Sequence, residues 1–273
     1  MSEYIIPPII HYCWFGRGPK PQVFEKCLES WKKYMPDFEI IEWNEDNTNL
    51  NSCRFIQQAY EEKKWAFVSD VVRLQVVYEM GGIYMDTDVE LFRSLEEYLK
   101  YDAFFFFQNH SQIATGLGFG AVKGNQLLKK MIDDYNETDF SLKKINQLAC
   151  PVKNTKVICG FLPMFEANSH TQLCDNMLFV DYDTYYSGAR HYGEFSWRDE
   201  EQNELLKYAK KKRGFWRLRR MLRSPEIFSF FDKLHMKRVS YIYTFLVYDF
   251  IDQGALYWGM KVIYKIKNKL KKC

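Results

Sequence analysis

The residues of this chain that could do chemistry concentrate between Ser69 and Asp88. Asp86 and Asp88 bracket a threonine directly after a short apolar run. Two carboxylates converging at a strand end make an oxygen-rich site for a hard divalent cation such as Mg2+ or Mn2+. Upstream, Ser69, Asp70 and Arg73 stand at i, i+1 and i+4 of a helical run. Ser69 and Arg73 therefore share a helix face, with Asp70 beside them. On an exposed helix an Asp70–Arg73 pair would contribute roughly a few tenths of a kcal/mol. An isolated Asp-Thr-Asp is also common by chance in a solvated turn. The residue types alone leave both readings open.

The elements that must position these groups follow from periodicity and punctuation. Trp65 to Met80 reads as an amphipathic helix whose stripe, Phe67, Val71, Leu74 and Tyr78, should pack on a sheet. Gly81 and Gly82 close it and let the chain reverse. Ile83, Tyr84 and Met85 form a short strand, and Asp86 and Asp88 point the same way if strand geometry persists through them. Earlier, Ile5 to Trp14 holds a buried first strand beginning after Pro7 and Pro8, followed by a loop over Phe15 to Pro19. Such a loop lies at the carboxyl edge of the sheet, where open α/β folds bind ligands. Trp14 divides evenly between core packing and a site role, and His11 reads as a hydrogen-bonded core histidine. A helix over 21–34, a strand from Phe38 to Trp43 and a helix from Ser52 to Lys63 give the rhythm of an α/β domain. After the aspartates come a strand from Ala103 to Phe107, a tight strand or turn over Gly116 to Val122, a helix from Asn125 to Tyr135 and a strand from Met177 to Tyr182. Residues 141–176 follow no clear pattern. The run GLGFG in 116–120 is not a phosphate-binding fingerprint.

At 273 residues the chain fits one main domain with a small appendage. Its 22 Phe, 19 Tyr and 7 Trp suit both a packed core and stacking surfaces for planar or sugar rings. The seven cysteines make no close CxxC pair and read as reduced thiols. The first residues lack the charged start and long apolar core of a secretion signal, so a cytoplasmic location is expected. Charge is uneven beneath a net of only +3: Leu205 to Arg223 carries nine Lys or Arg and no acid, and Lys261 to Lys272 adds six lysines. No stretch reaches the roughly 20 apolar residues of a spanning helix. Cations interleaved with aromatic and aliphatic residues suit an anionic membrane surface better than nucleic acid, with roughly 1 kcal/mol from each well-placed cation. The expected organisation is a catalytic domain over 1–202 and a basic, aromatic helical tail over 203–273.

Three blocks in register, IPPIIHYCWFG (6–16), SDVVRLQVVYEMGGIYMDTDVEL (69–91) and HYGEFSW (191–197), resemble glycosyltransferase family 32, the DXD-containing sugar transferases. That group includes bacterial capsule and lipopolysaccharide enzymes and yeast mannosyltransferases, and is similar at its active site to clostridial glucosylating toxins. The resemblance covers residues 5–200 and implies an α/β GT-A (Rossmann-like) nucleotide-sugar-binding domain, here with a C-terminal helical appendage. It also implies a nucleotide-sugar donor, Mn2+ or Mg2+, and transfer with retention. By position, Trp14 resembles the aromatic that stacks on the donor base; Ser69, Asp70 and Arg73 resemble donor contacts; Tyr84 resembles a donor-site residue. Asp86 resembles the aspartate that binds the donor and reaches the metal through water, and Asp88 the direct ligand. His191 resembles the downstream metal ligand, and Ser196 and Trp197 the pair that closes on the diphosphate.

The expected activity is hexose or N-acetylhexosamine transfer, from a UDP-sugar by preference, to a glycan or lipid-linked acceptor in capsule or O-antigen synthesis. The enzyme would sit peripherally on the inner face of the plasma membrane, without a nucleic-acid partner. GDP-mannose is the alternative donor. A haloacid-dehalogenase-type phosphatase also uses an aspartate pair, but wants Thr or Val where Glu90 stands. A catalytically dead membrane scaffold is disfavoured by the intact Asp86, Asp88, Arg73 and Trp197.

Overall fold

The computed structural model describes residues 4–193. Ser196, Trp197 and the tail 203–273 lie outside the described residues. In chain order the elements are β1 (Ile9–Cys13), α1 (Gln22–Tyr34), β2 (Glu39–Trp43), α2 (Arg54–Glu61), α3 (Trp65–Met80), β3 (Gly82–Tyr84), β4 (Val89–Leu91), β5 (Ala103–Phe106), β6 (Phe119–Ala121), α4 (Gln126–Asn136), α5 (Ile145–Leu148), α6 (Cys150–Phe161), β7 (Gln172–Cys174), β8 (Met177–Val180), α7 (Tyr182–Gly188) and β9 (Ala189–His191). Among the described residues a seven-stranded sheet has the order β2-β1-β3-β6-β5-β8-β7, and β4 pairs with β9 in a separate ribbon. The large sheet is mixed: β1 is parallel to β2 and β3, and β5 to β8, whereas β6 runs antiparallel to β3 and β5 and β7 antiparallel to β8. The expected α/β class is borne out.

Period-two alternation divides the core between the two faces of the sheet. Cys13, Tyr84, Phe105, Phe119 and Phe179 join a cluster with Phe55, Val71, Leu74, Leu128 and Ile158 of the helices α2, α3, α4 and α6. Ile10, Tyr12, Ile83, Met85, Phe104 and Phe106 join the other, with Phe24 and Trp31 of α1 and Val89 and Leu91 of β4. Helix α1 does more than cover that face. Its Trp31 Nε1 donates to the Val89 carbonyl at 2.7 Å, and Ser30 Oγ accepts the Leu91 N–H at 3.0 Å. Side chains thus satisfy a strand edge that would otherwise be bare.

Helix α3 departs from the sequence reading. Instead of one apolar stripe it is buried almost all round, Ser69, Asp70 and Arg73 included, while Tyr78 of the expected stripe is only partly buried. The sheet packs against one side and α2 and α4 against others, so its polar residues are interior. The sequence left a solvated and an interior reading of those residues open, and the structure takes the interior one. The Gly81-Gly82 reversal is observed, with φ of 74° and 108°. A side chain at Gly82 would come within 2.7 Å of the Ile9 carbonyl and 2.9 Å of His11 Nε2, so only glycine lets β3 pass β1 this closely.

His11 is the core histidine that the sequence suggested. Its ring is fully buried, Nδ1 accepts from Trp43 Nε1 at 3.1 Å, and Nε2 donates to the Gly81 carbonyl at 2.8 Å. Those partners select the neutral ring with its hydrogen on Nε2. Burial lowers its pKa below the ordinary value of 6.5, against the opposing pull of the Gly81 carbonyl. A depressed histidine pKa means that its stabilisation is complete above the ordinary value and is lost as pH falls through the folded-state value. We therefore expect wild-type unfolding free energy to fall relative to His11→Gln below pH of about 6.5, by at most about 1.4 kcal/mol per pH unit. Urea unfolding of both proteins between pH 7.5 and 5 measures it, and parallel curves would show that His11 is not held neutral.

Candidate active site

The site forms where α3, the end of β3 and β9 meet. Alternation along Ile83-Tyr84-Met85 turns Tyr84 toward α3, and the Arg73 guanidinium lies over its ring at 4.7 Å. Arg73 Nη2 reaches Asp70 Oδ1 at 3.2 Å and Asp86 Oδ1 at 3.0 Å, and its Nε donates to the Ser69 carbonyl at 3.1 Å. Tyr84 OH donates to the same Asp86 oxygen at 2.9 Å. The arginine is 3% exposed, so the pair that would be worth little on an exposed helix face is instead an interior cation shared by two carboxylates. Burial raises the Asp70 pKa to about 6; the Asp86 charge adds to this, while Arg73 and the Cys150 thiol and N–H oppose it. Asp86 is raised as well, by burial foremost, with Arg73 pulling it down and Asp88 pushing it up.

Strand β3 ends at Tyr84, so Asp86 and Asp88 do not point together as strand residues. They converge through a turn between β3 and β4. The Asp86 N–H donates to the Gly116 carbonyl at 3.2 Å, and a Cβ at Gly116 would collide with Asp86 Oδ2 and Arg73 Nη1. On the other side β9 pairs with β4, setting His191 opposite Val89, and the Tyr192 N–H extends the ladder to the Asp88 carbonyl at 3.0 Å. His191 Nε2 then stands 3.2 Å from Asp88 Oδ1. Burial lowers the His191 pKa, but the bond to Asp88 and the charges of Asp88 and Asp86 outweigh it, and the net shift is upward.

Asp86, Asp88 and His191 each offer one ligand atom, all within 4.8 Å of one another, a possible site for one metal ion. Two carboxylates and an imidazole suit Mn2+, and Mg2+ less strongly because it favours oxygen alone.

The structure brings together Asp70, Arg73, Tyr84, Asp86, Asp88 and His191 from three distant segments. Ser69 is adjacent, but its hydroxyl donates to the Trp65 carbonyl at 3.1 Å and its backbone carbonyl holds Arg73. Trp14 follows β1 at the carboxyl edge of the sheet, half-buried, stacked on Phe24 with its indole N–H on the Gly18 carbonyl at 2.9 Å. Sequence reading missed Gly116 and Cys150. The first carried only the general signal of a glycine-rich strand. The second sits at the start of α6, in the stretch with no legible pattern, with its Sγ 3.9 Å from Arg73 Nη1.

Residues 21–105 match the family described as "Glycosyltransferase sugar-binding region containing DXD motif". A curated relative, inositol phosphoceramide mannosyltransferase 3 of Schizosaccharomyces pombe, is 29% identical over 131 residues, which are 46% of this chain and 36% of the relative. The chain therefore spans little more than a third of that relative's length. Among solved structures, PaToxG glycosyltransferase aligns over 58% of this chain and 70% of its own, with a TM-score of 0.47 and 17% identity. A glycosyltransferase involved in glycosylation of the major capsid of PBCV-1 aligns over 69% and 94%, with a TM-score of 0.40 and 12% identity. The resemblance to DXD-containing sugar transferases is borne out over the stretch that holds Asp70, Arg73, Tyr84, Asp86 and Asp88.

Because Arg73 is the buried cation paired with both Asp70 and Asp86, Arg73→Ala should cost about 3–5 kcal/mol in urea unfolding. Adding Asp70→Asn should return part of that loss by removing one stranded charge. A loss below about 1 kcal/mol would place the cluster in the range of solvated surface pairs.

Proposed function

We propose that this chain is a metal-dependent, retaining glycosyltransferase that moves a hexose or N-acetylhexosamine from a nucleotide diphosphate sugar to a glycan or lipid-linked acceptor, in capsule, O-antigen or exopolysaccharide synthesis. The observation that carries the reading is the convergence of Asp86, Asp88 and His191 within 4.8 Å beside the buried Asp70–Arg73 pair. Asp88 and His191 would hold the ion directly and Asp86 through water. Bound there, a divalent ion supplies charge neutralisation for the departing diphosphate.

The chain's own residues do the rest. Asp70 and Arg73 grip sugar hydroxyls from the α3 side, with Ser69 beside them. Tyr84 fixes the Asp86 carboxylate through its hydroxyl. Trp14 stacks on the base, and Ser196 and Trp197 close on the diphosphate. A rigid, interior arginine can favour charge as it develops without reorganising, which is the efficient form of electrostatic catalysis. Retention requires no covalent nucleophile in this scheme. The acceptor hydroxyl attacks from the face that the diphosphate leaves, and a phosphate oxygen takes its proton.

A UDP-sugar with Mn2+ is the leading donor assignment, resting on Trp14 as a uracil platform. GDP-mannose is the second reading, favoured by the mannosyltransferase name of the curated relative. A panel of nucleotide sugars, scored by nucleotide release with and without Mn2+, separates the two. Asp88→Ala should abolish release while its circular dichroism stays that of wild type; full activity in that variant would remove the metal role.

The basic tail is proposed to hold the enzyme on the inner face of the membrane, where a lipid-linked acceptor would be presented. Among the described residues no helix is long and apolar enough to cross a membrane. Truncation after residue 202 should release the protein from vesicles rich in anionic lipid. Unchanged sedimentation with those vesicles would show that the anchor lies elsewhere.

A further inference from the structure

We infer that Glu90 is a positioning residue for the metal ligands: it latches the strand that carries His191 onto the Asp-Thr-Asp turn. This rests on the reading of Asp86, Asp88 and His191 as metal ligands. The need for a latch follows from the ribbon itself. β4 and β9 pair over three positions, Val89 with His191, Glu90 with Arg190 and Leu91 with Ala189, and a two-stranded ribbon of that size is marginal alone. The β4 edge is anchored by Trp31 and Ser30 of α1, which leaves the fastening of β9 to be explained.

Glu90 supplies it. Its side chain is 11% exposed, and its carboxylate accepts from Tyr192 OH at 2.7 Å and from Lys26 Nζ at 3.0 Å, with Arg190 Nη1 at 3.9 Å. Lys26 Nζ also donates to Tyr192 OH at 2.8 Å, so α1, β4 and the end of β9 meet at one carboxylate. Period-two geometry puts Glu90, Arg190 and Tyr192 on one face of the ribbon and Val89 with His191 on the other. The latch therefore grips the residues on both sides of His191 without touching the imidazole. Charge-assisted bonds of this kind are the strong ones, and removing their common acceptor leaves the partly buried Tyr192 phenol without it and the exposed Lys26 without its counter-charge. Register matters as much as strength, because a one-residue slip of β9 would turn His191 away from Asp88.

A purely structural Glu90 would change stability and leave metal affinity alone, so affinity is the readout. Manganese binding to the full chain can be followed by the electron paramagnetic resonance of free Mn2+, alongside hydrogen exchange at the Tyr192 amide. Wild type should bind and Asp88→Ala should not. Glu90→Ala should bind about 10- to 100-fold more weakly, the usual cost of losing a residue that orients a ligand. Its Tyr192 amide should exchange faster even without metal. Glu90→Gln, which keeps an acceptor for Tyr192 but not the charge for Lys26, should fall between. Wild-type metal affinity in folded Glu90→Ala, whatever its Tyr192 exchange, would overturn the inference. If that variant does not fold, the same result in Glu90→Gln and Tyr192→Phe would overturn it. Should wild type bind no better than Asp88→Ala, the metal reading fails, and Tyr192 exchange alone then decides whether Glu90 latches the strand.

Discussion

A guanidinium buried at the junction of one helix and one strand is the interaction on which the rest of this structure depends. Desolvating a cation of that size costs several kcal/mol, and a helix will carry it inward only if partners are already in place. Arg73 finds them on two segments, Asp70 on its own helix and Asp86 after β3, with the Tyr84 ring beneath it. Satisfying it therefore fixes the rotation of α3 and the path of the chain beyond β3 together. Gly116 completes the enclosure by leaving no side chain where Asp86 and Arg73 meet. Two carboxylates thus share one guanidinium, and Asp88, paired with His191, adds a further negative charge beside Asp86. Burial foremost raises Asp70 and Asp86, with neighbouring carboxylate charge adding to it, whereas His191 is raised by Asp88 and Asp86 against the effect of burial.

The two faces of the sheet divide the labour around this cation. The helical layer of α2, α3, α4 and α6 presents Arg73 and Asp70 and encloses them. The layer built from α1 and the β4–β9 ribbon presents Asp88 and His191 and fastens them through side chains, Trp31 and Ser30 on one strand and Glu90 at the junction of both. Asp86 lies between the layers, bonded to Arg73 and Tyr84 on one side and adjacent to Asp88 on the other. The Arg73 cluster and the group of Asp86, Asp88 and His191 are thereby joined at one residue.

Much of this was legible in the chain itself, for identifiable reasons. β1, α1, β2, α2, α4, β5 and β8 each carry their own period and punctuation, and their bounds fall within a few residues of expectation. The Gly81-Gly82 reversal was legible because only glycine accepts those backbone angles. α3 was legible as a helix but not as an interior one, because the spacing of Ser69, Asp70 and Arg73 fits a solvated face and a buried one equally well, and each finds its partner inside. The stretch holding α6 and β7 was opaque. Its helix mixes buried Lys153, Asn154 and Thr155 with apolar positions, so no clean face shows in the sequence. Cys150, against Arg73, was hidden with it.

The amino-acid sequence by itself determined the local order of the elements, the glycine punctuation and the residue types able to bind a cation and a sugar, since these depend on neighbours within a turn or two. Tertiary structure alone decided which of those residues meet. Nothing local distinguishes a solvated Asp70–Arg73 pair from a buried one, or sets His191 against Asp88 across a hundred residues of chain. Those outcomes follow from which surfaces the sheet, α1 and the short ribbon bring together, and from the cost of leaving a charge without a partner once water has been excluded.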